Sequence, residues 1–371
     1  MSRGVFFKVS IFFFFYFAII GVWIIFLPKI LDNLSYSSTQ IGIILSISPL
    51  MRFLTPFLFL KHLKLSKGIF YLNILLMLLC VPFLYITIYD FKSFLLLNIF
   101  FGFSFSFILP YIESFALERL KKERFGRSRL FGSIGFIFVA LVLARVFDTK
   151  MGLDFLSIGL VFTAIFAYLI AKGEKDFSND REDRDSGFDL LGYRYLWVSI
   201  FLMQVGFGAF YGFFTIYENE HGIDLKMISY LWTFGVICEI VLFYFQEYII
   251  KYDLLKLIKF SIFITVIRWL ILYLYPSSLF LAYLSQSFHA FSFALYHTAT
   301  LSFLYKLYKD KKLAAQFYYG FGFGLGGFVG SLVAGYFYGE RLFLSASLIT
   351  LISLLVLYIP FRDNSKRLKS I

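Results

Sequence analysis

Long apolar stretches alternate with short polar ones along the whole chain. A helix that spans a bilayer needs about 20 consecutive apolar residues, and twelve runs of roughly that length can be counted. They predict helices over residues 5–31, 40–60, 69–89, 93–116, 129–149, 152–171, 193–217, 227–248, 257–275, 277–304, 317–338 and 341–360. No small-residue cleavage site follows the first run, so we expect an uncleaved helix there instead of a signal peptide. The predicted fold class is an all-α integral membrane protein.

The longest polar stretch, residues 173–192, falls between the sixth and seventh apolar runs. It predicts two six-helix bundles, 1–172 and 193–371, joined by a linker on the cytoplasmic side. Four acidic residues in this stretch raise the alternative of a metal site: Asp180, Glu182, Asp183 and Asp185. A solvated linker is the preferred interpretation, so we predict no metal and no cofactor.

Composition and charge decide which solvent the helices require. Hydrophobic residues make up 60% of the 371 residues, whereas soluble domains contain roughly 45–50%, so one water-soluble core cannot bury them all. The net charge of +12 does not indicate a nucleic-acid partner, because the Lys and Arg residues form short clusters between apolar runs. These clusters occupy alternate loops, and the positive-inside rule then places both termini in the cytoplasm. We expect a multi-pass protein of the cytoplasmic (inner) membrane.

Among the ionisable residues within or at the ends of the apolar runs, six are candidates for function: Glu113, Arg129, Glu239, Arg268, His289 and His297. A charge at the centre of a membrane helix costs roughly 2.5–3.5 kcal/mol on insertion scales, so such groups pair with one another or face a polar pathway. A histidine titrates near neutral pH, and a carboxylate changes its proton affinity when an arginine partner moves away. Together these groups predict proton coupling.

Structural alternatives remain open for the same residues. Glu239 and Arg268 can form a static ion pair between helices 8 and 9. The two histidines can be hydrogen-bonded core residues. Glu113 and Arg129 can form a structural salt bridge near the cytoplasmic face, or they can hold a polar substrate by charge-assisted hydrogen bonds.

Helix 11 contains Gly322-x-Gly324-x-x-Gly327, which is formally a dinucleotide-binding fingerprint. A functional fingerprint follows a strand and opens a helix, whereas these flanks are apolar membrane sequence. The glycines are better interpreted as small-xxx-small packing pairs, for example Gly322/Gly326 and Gly326/Gly330.

Several segments are specific enough to suggest a family. They are MRFLTPFL at 51–58, FGRSRLFGSIGF at 125–136, the stretch from AFYGFF to EIVLF at 209–243, VIRWLIL at 266–272 and FHAFSFALYHTA at 288–299. Together the chain resembles the major facilitator superfamily, in particular the proton symporters of the lactose permease and phenylpropionate permease type. The resemblance implies two six-helix bundles, alternating access and a monomer.

The resemblance also implies roles for individual residues. Glu113 and Arg129 fall where such a symporter holds its sugar, and Glu239 falls where a helix 8 carboxylate joins substrate binding to proton coupling. Arg268 and His289 fall on the coupling arginine and histidine.

One position departs from the lactose permease pattern. The glutamate that carries the proton one turn after the coupling histidine is replaced here by Ser292. The proton must then be carried by another group, and the candidates are Glu239, Glu113 and His297.

We therefore expect a secondary active transporter that moves a small organic solute by proton symport. The solute would be an aromatic or other carboxylate, or a sugar-like compound, bound between Glu113/Arg129 and the groups of helices 8–10. The expected partners are this solute, protons and membrane lipids. The alternatives are a proton-antiporting exporter, a polytopic membrane enzyme such as a lipid transferase, and a channel. Short, mostly basic loops count against the enzyme.

Overall fold

The computed structural model describes residues 2–61, 66–172 and 189–359. Twelve helices and no strand lie within these ranges, which confirms the predicted all-α fold. Helix α1 is α-helical over Ser2–Gly21, π-helical over Val22–Phe26 and α-helical again over Leu27–Asn33. The next five are α2 (Ser38–Lys61), α3 (Lys67–Thr87), α4 (Phe91–Arg119), α5 (Lys122–Leu143) and α6 (Thr149–Ala171).

The second set begins with α7 (Arg194–Glu220), α8 (Leu225–Ile249) and α9 (Leu254–Leu274). Helix α10 consists of Leu279–Ser287, a π-helical segment Ala290–Leu295 and Tyr296–Leu307. Helix α11 consists of Lys311–Phe317, a π-helical segment Tyr318–Gly326 and Gly327–Tyr336, and α12 is Leu342–Val356. Within the described ranges, nine helices are long and apolar enough to cross a membrane: α1, α3 to α9 and α11.

The chain divides into two compact units. The first contains α1 to α6 together with Asp224–Tyr230 at the start of α8, and the second contains the rest of α8 and the other helices from α7 to α12. Most of the predicted linker, residues 173–188, lies outside the described residues, and so does its acidic cluster.

Apolar side chains cover the outside of the helices as well as their contacts. On α3, exposed apolar side chains recur every three or four residues: Leu72, Leu75, Leu79, Phe83 and Ile86. This spacing places them on one face of the helix. A continuous exposed apolar face is stable when lipid, not water, surrounds it.

Helix α5 is the clearest correction to the predicted boundaries. We expected it over 129–149, but it begins at Lys122 and ends at Leu143. Its first two turns are polar and mostly exposed, so they carry no apolar signal although they are helical. After its end the chain turns, and Asp148 caps α6 by accepting a hydrogen bond from the Met151 amide at 2.7 Å.

Glycines allow two helix pairs to approach closely. In the first unit, a Cβ on Gly135 of α5 would collide with the backbone carbonyl of Phe14 in α1. In the second unit, a Cβ on Gly208 of α7 would collide with the backbone of Gly330 in α11, and one on Gly326 would lie 2.8 Å from Gln204. The glycine face of α11 is thus a packing surface against α7, as the small-xxx-small spacing predicted.

Candidate functional site

Arg268 of α9 is the centre of a polar group in the second unit. Arg268 is 0% exposed, and it donates three hydrogen bonds to side chains of α10. Nη1 donates to His289 Nδ1 at 2.9 Å and to Ser292 Oγ at 3.0 Å, and Nη2 donates to Gln286 Oε1 at 3.1 Å. A fully buried guanidinium is stable only with such partners, so these bonds fix α9 and α10 in register.

The contact with Arg268 determines the tautomer of His289. A guanidinium has donors and no acceptor, so Nδ1 of His289 must accept and cannot carry a proton in this arrangement. The ring proton is then on Nε2, which lies 3.6 Å from Oε2 of Glu239 on α8. His289 therefore lies between the buried cation and a carboxylate, and its one N–H is on the nitrogen 3.6 Å from Glu239 Oε2.

Gly235 allows α8 to come close enough for this contact. It lies one helical turn before Glu239, on the same face. A Cβ at this position would lie 2.9 Å from Gln286 Oε1 and 3.6 Å from the His289 ring. Any larger residue would therefore push α8 away from the polar group or displace Gln286.

Aromatic rings surround the guanidinium of Arg268. Its Cζ lies 4.1 Å from the ring centroid of Phe210 on α7 and 4.7 Å from that of Trp269. Phe210 also contacts the His289 ring, with 5.4 Å between centroids. These cation–π contacts stabilise a positive charge without supplying a counter-charge, so the carboxylate of Glu239 remains the acidic member of the group.

His297 lies two turns further along α10, beyond the π-helical segment. Its Nδ1 and Nε2 are 3.4 Å and 3.3 Å from the hydroxyl oxygens of Tyr318 and Tyr319 on α11. The ring of Phe293 stacks between the two histidines, 5.4 Å from His289 and 6.1 Å from His297. The predicted pair of histidines thus forms one stack with an aromatic ring inserted.

Glu113 and Arg129 meet in the first unit and form a salt bridge, one of the two alternatives left open by the sequence. Nε of Arg129 donates to Oε1 of Glu113 at 3.0 Å, joining α4 to α5. The guanidinium lies over two rings of α1, 4.1 Å from the centroid of Phe17 and 5.1 Å from that of Phe13. The side chains of Arg129 and Glu113 are 37% and 31% exposed, so both members of this pair are partly exposed.

Two further groups of the first unit lie near this pair. Arg52 of α2 is exposed and close enough to interact electrostatically with Glu113. Tyr16 of α1 is buried, and its hydroxyl donates to the backbone carbonyl of Phe105 at 3.3 Å. The rings of Tyr16 and Phe105 stack with 4.2 Å between centroids. This part of the first unit therefore combines the carboxylate of Glu113 with the guanidinium groups of Arg52 and Arg129 and with aromatic faces.

Sequence reasoning missed several residues of these groups. Phe210 and Trp269 carried no signal, because aromatic residues make up 22% of the chain and lipid contact explains most of them. Glu218 was overlooked because the seventh helix was predicted to end at 217, which places this residue in a loop. The structure instead includes Glu218 in α7 and buries it completely.

The described residues hold no group of three His, Cys, Asp or Glu side chains placed to bind a metal ion. The acidic cluster in the predicted linker lies outside the described residues. The groups that are described can bind protons, anions and hydroxyl groups.

Comparison with known proteins decides the family. The model of the MFS_1 like family matches residues 6–348. The chain belongs to the MFS_1 like family. It is a membrane-spanning transporter of the major facilitator type, not an enzyme, and the resemblance inferred from its motifs is confirmed.

Two curated relatives agree with this assignment. The chain is 27% identical over 160 residues to a probable 3-phenylpropionic acid transporter of Escherichia coli (strain K12), a match covering 40% of this chain and 42% of that protein. It is 25% identical over 321 residues to the uncharacterized transporter YwbF of Bacillus subtilis (strain 168), covering 81% and 78% of the two chains.

A solved structure supports the fold. The crystal structure of the nucleoside transporter NupG aligns with a TM-score of 0.75 at 16% identity, covering 95% of this chain and 97% of that one. At this identity the likeness establishes a shared fold only.

Proposed function

We propose that this transporter moves a small organic solute across the cytoplasmic membrane by proton symport with alternating access. Glu239, Arg268, His289 and His297 couple protons to transport, and Glu113, Arg129 and Glu239 bind the solute. The observation that carries the proposal is the line Arg268–His289–Glu239, with distances of 2.9 Å and 3.6 Å between successive partners.

The geometry favours different tasks for the three residues of this line. A second proton on His289 would have to occupy Nδ1, where it would face the donor N–H and the charge of Arg268. Ser292 has no acidic group and accepts from Arg268. Glu239 is therefore the residue of the line that takes up the coupled proton, while Arg268 and His289 position it.

Proton uptake by Glu239 gives a physical basis for coupling. The ionised carboxylate attracts the Nε2–H of His289 and the cation behind it by Coulomb forces, whereas the neutral acid loses this attraction. Protonation thus weakens the link between α8 and α10. Because Glu239 is also proposed to contact the solute, solute binding and protonation act on the same carboxyl group.

The Glu113–Arg129 pair supports an anionic or hydroxylated solute. With Nε committed to Glu113, the Nη groups of Arg129 provide donors suited to a carboxylate or to vicinal hydroxyls. Phe13 and Phe17 add aromatic surface beside these donors. The name of the Escherichia coli relative supports an aromatic carboxylate as the first solute to test.

The test uses purified protein in proteoliposomes with an internal pH indicator. 3-Phenylpropionate represents aromatic carboxylates and lactose represents sugars. Symport predicts that external addition of one of these solutes acidifies the lumen and that the solute accumulates. Alkalinisation would instead indicate the antiporting exporter, and uptake without proton movement would contradict proton coupling.

The membrane orientation belongs to the same proposal. Cation-rich loops after helices 2, 4, 8 and 10 support a multi-pass protein with both termini in the cytoplasm, acting as a monomer. Labelling of single cysteines introduced at Ser2 and at Lys226 in intact cells would test this orientation. We expect an external impermeant reagent to modify the second position and not the first.

A further inference from the structure

Glu218, near the end of α7, is a buried acid that the mechanism above does not use. Glu218 is 0% exposed. Neither carboxyl oxygen has a hydrogen-bond partner among the described residues. Glu218 also forms no salt bridge with any of the described residues. It differs in this respect from Glu113 and Glu239, which both face a basic side chain.

The surroundings of Glu218 determine its protonation state. An ionised carboxylate without partners in an apolar environment is far less stable than the neutral acid, so such a group neutralises. Glu218 therefore holds a proton in this conformation. Even a neutral carboxyl costs energy when its polar atoms are unsatisfied, and an apolar side chain would avoid that cost. The acid thus needs an explanation other than packing.

Glu218 lies two residues before the end of α7, and a tight turn follows the helix. Gly222 has a φ of +92°, which side chains with a Cβ rarely adopt. The amide of the next residue, Ile223, donates back to the carbonyl of Glu218 at 3.0 Å, and Ile223 is itself buried. This arrangement is a helix C-cap closed by a left-handed glycine, and it covers the last buried turn of α7.

The polar groups near this end are few. Tyr217 donates from its hydroxyl to the carbonyl of Leu272 in α9 at 3.4 Å. His221 contacts the Tyr217 carbonyl through Nδ1 at 2.7 Å. Tyr273 and Glu340 are the other titratable groups that interact electrostatically with Tyr217. None of these four residues is a lysine or an arginine, so no permanent cation is present among them to hold Glu218 ionised.

We propose that Glu218 is a proton-binding site separate from the Arg268–His289–Glu239 line, and that it exchanges its proton with the solution when the turn at Gly222 opens. On opening, the O–H bond breaks, the proton passes to water and the carboxylate becomes hydrated. On closing, the carboxylate takes a proton from water and is buried again as the neutral acid. The proposal rests on the proton-coupled function above and adds a second proton site to it.

Infrared difference spectroscopy of the purified protein tests the proposal without any solute. A protonated carboxyl has a carbonyl stretching band that is separate from those of amides and carboxylates, and the band shifts on exchange into D₂O. We expect this band at neutral pH in the wild type. It should be lost in Glu218→Gln, and it should be retained in Glu220→Gln, which changes an exposed glutamate two residues further along the same helix. A band unchanged in Glu218→Gln would overturn the proposal.

Two further variants test the gating turn and protect against misfolding. Glu218→Asp retains a carboxyl group and should restore a protonated band. Gly222→Ala strains the closed turn and should accelerate the H/D exchange of the Glu218 band about tenfold. An exchange rate equal to that of the wild type would contradict gating by this turn.

Proton movement distinguishes failure of this proposal from failure of the proposed function. With 3-phenylpropionate or lactose as the solute, Glu218→Gln should move fewer protons per solute than Glu220→Gln. Equal proton movement would overturn a role of Glu218 in transport. An absence of proton movement in the wild type would contradict the proposed function itself, while the infrared band would still decide whether Glu218 binds a proton.

Discussion

Replacing Gly235 by alanine probes how α8, α9 and α10 assemble the candidate site. The new Cβ would lie 2.9 Å from Gln286 Oε1, which is too close, so one of the two must move. Gln286 is fully buried and accepts a hydrogen bond from Arg268 Nη2 at 3.1 Å. We expect the amide to turn away, since it is the more flexible partner, and the bond to Arg268 to be lost.

The magnitude follows from two opposing effects. A hydrogen bond to a charged group contributes about 1.5–3 kcal/mol, and this is the loss. Alanine in place of glycine within a helix contributes a gain of about 0.5–1 kcal/mol. The free energy of unfolding should therefore fall by about 0.5–2.5 kcal/mol in Gly235→Ala.

A double-mutant cycle with Gln286→Ala isolates this mechanism. In that background the atom that obstructs the new Cβ is absent and the hydrogen bond is already lost. Adding Gly235→Ala should then be neutral or stabilising by up to about 1 kcal/mol. The coupling between the two sites should be about 1.5–3 kcal/mol, close to the value of the bond itself.

The assay is unfolding of the purified protein in detergent, followed by loss of helical circular dichroism for the wild type, both single variants and the double variant. The reasoning would be refuted if Gly235→Ala destabilised the protein equally with and without Gln286. It would also be refuted if the single Gly235 variant were more stable than the wild type.

Two other predictions concern helix packing and solute binding. Gly208→Ala should lower the melting temperature, because its Cβ would collide with the backbone of Gly330, which cannot move aside as a side chain can. The cost is about 1–3 kcal/mol by analogy with overpacked cores. Gly320→Ala, whose Cβ would have nothing within 4 Å, should leave the melting temperature unchanged, and equal melting temperatures for the two variants would contradict the close contact. Glu113→Gln should raise the KM of solute uptake about tenfold or more through loss of the charge-assisted bond to the guanidinium, while Glu118→Gln, an exposed acid on the same helix, should leave KM unchanged in a counterflow assay.

The sequence was sufficient to predict the helices because the bilayer imposes a simple rule. Apolar runs of one membrane thickness identified all twelve, including α10 and α12, which are interrupted or short. Helix α5 shows the limit of this rule. Its first two turns are helical and exposed, and apolar content records contact with lipid, not helicity.

The candidate site was predictable in its ionisable residues and not in its arrangement. Arg268, His289 and Glu239 were recognisable because charges are costly in membrane helices. The position of His289 between the other two was not predictable. It depends on the close approach of α8 at Gly235 and on hydrogen-bond geometry, and the spacing of residues along the chain encodes neither. The sequence suggested a pair between Glu239 and Arg268, whereas the structure places the His289 ring in contact with both.

Local helix geometry was also invisible in the sequence. The π-helical segment that follows His289 places Ser292 on Arg268 and brings Phe293 between the two histidines. The periodicity of apolar residues cannot distinguish such a π-helical segment, with its extra residue, from a regular α-helix. Such segments are frequent at functional sites, and here one lies directly between the residues proposed to couple protons.

The most direct test of the account compares proton movement and solute exchange in Glu239→Gln. Glu247→Gln serves as the matched control, since it makes the same substitution at an exposed position of α8. With 3-phenylpropionate in proteoliposomes, we predict that Glu239→Gln retains counterflow, because the glutamine amide can still hydrogen-bond the solute, but loses solute-triggered proton movement. Glu247→Gln should retain both. Proton movement that persists undiminished in Glu239→Gln would contradict the assignment of the coupled proton to Glu239.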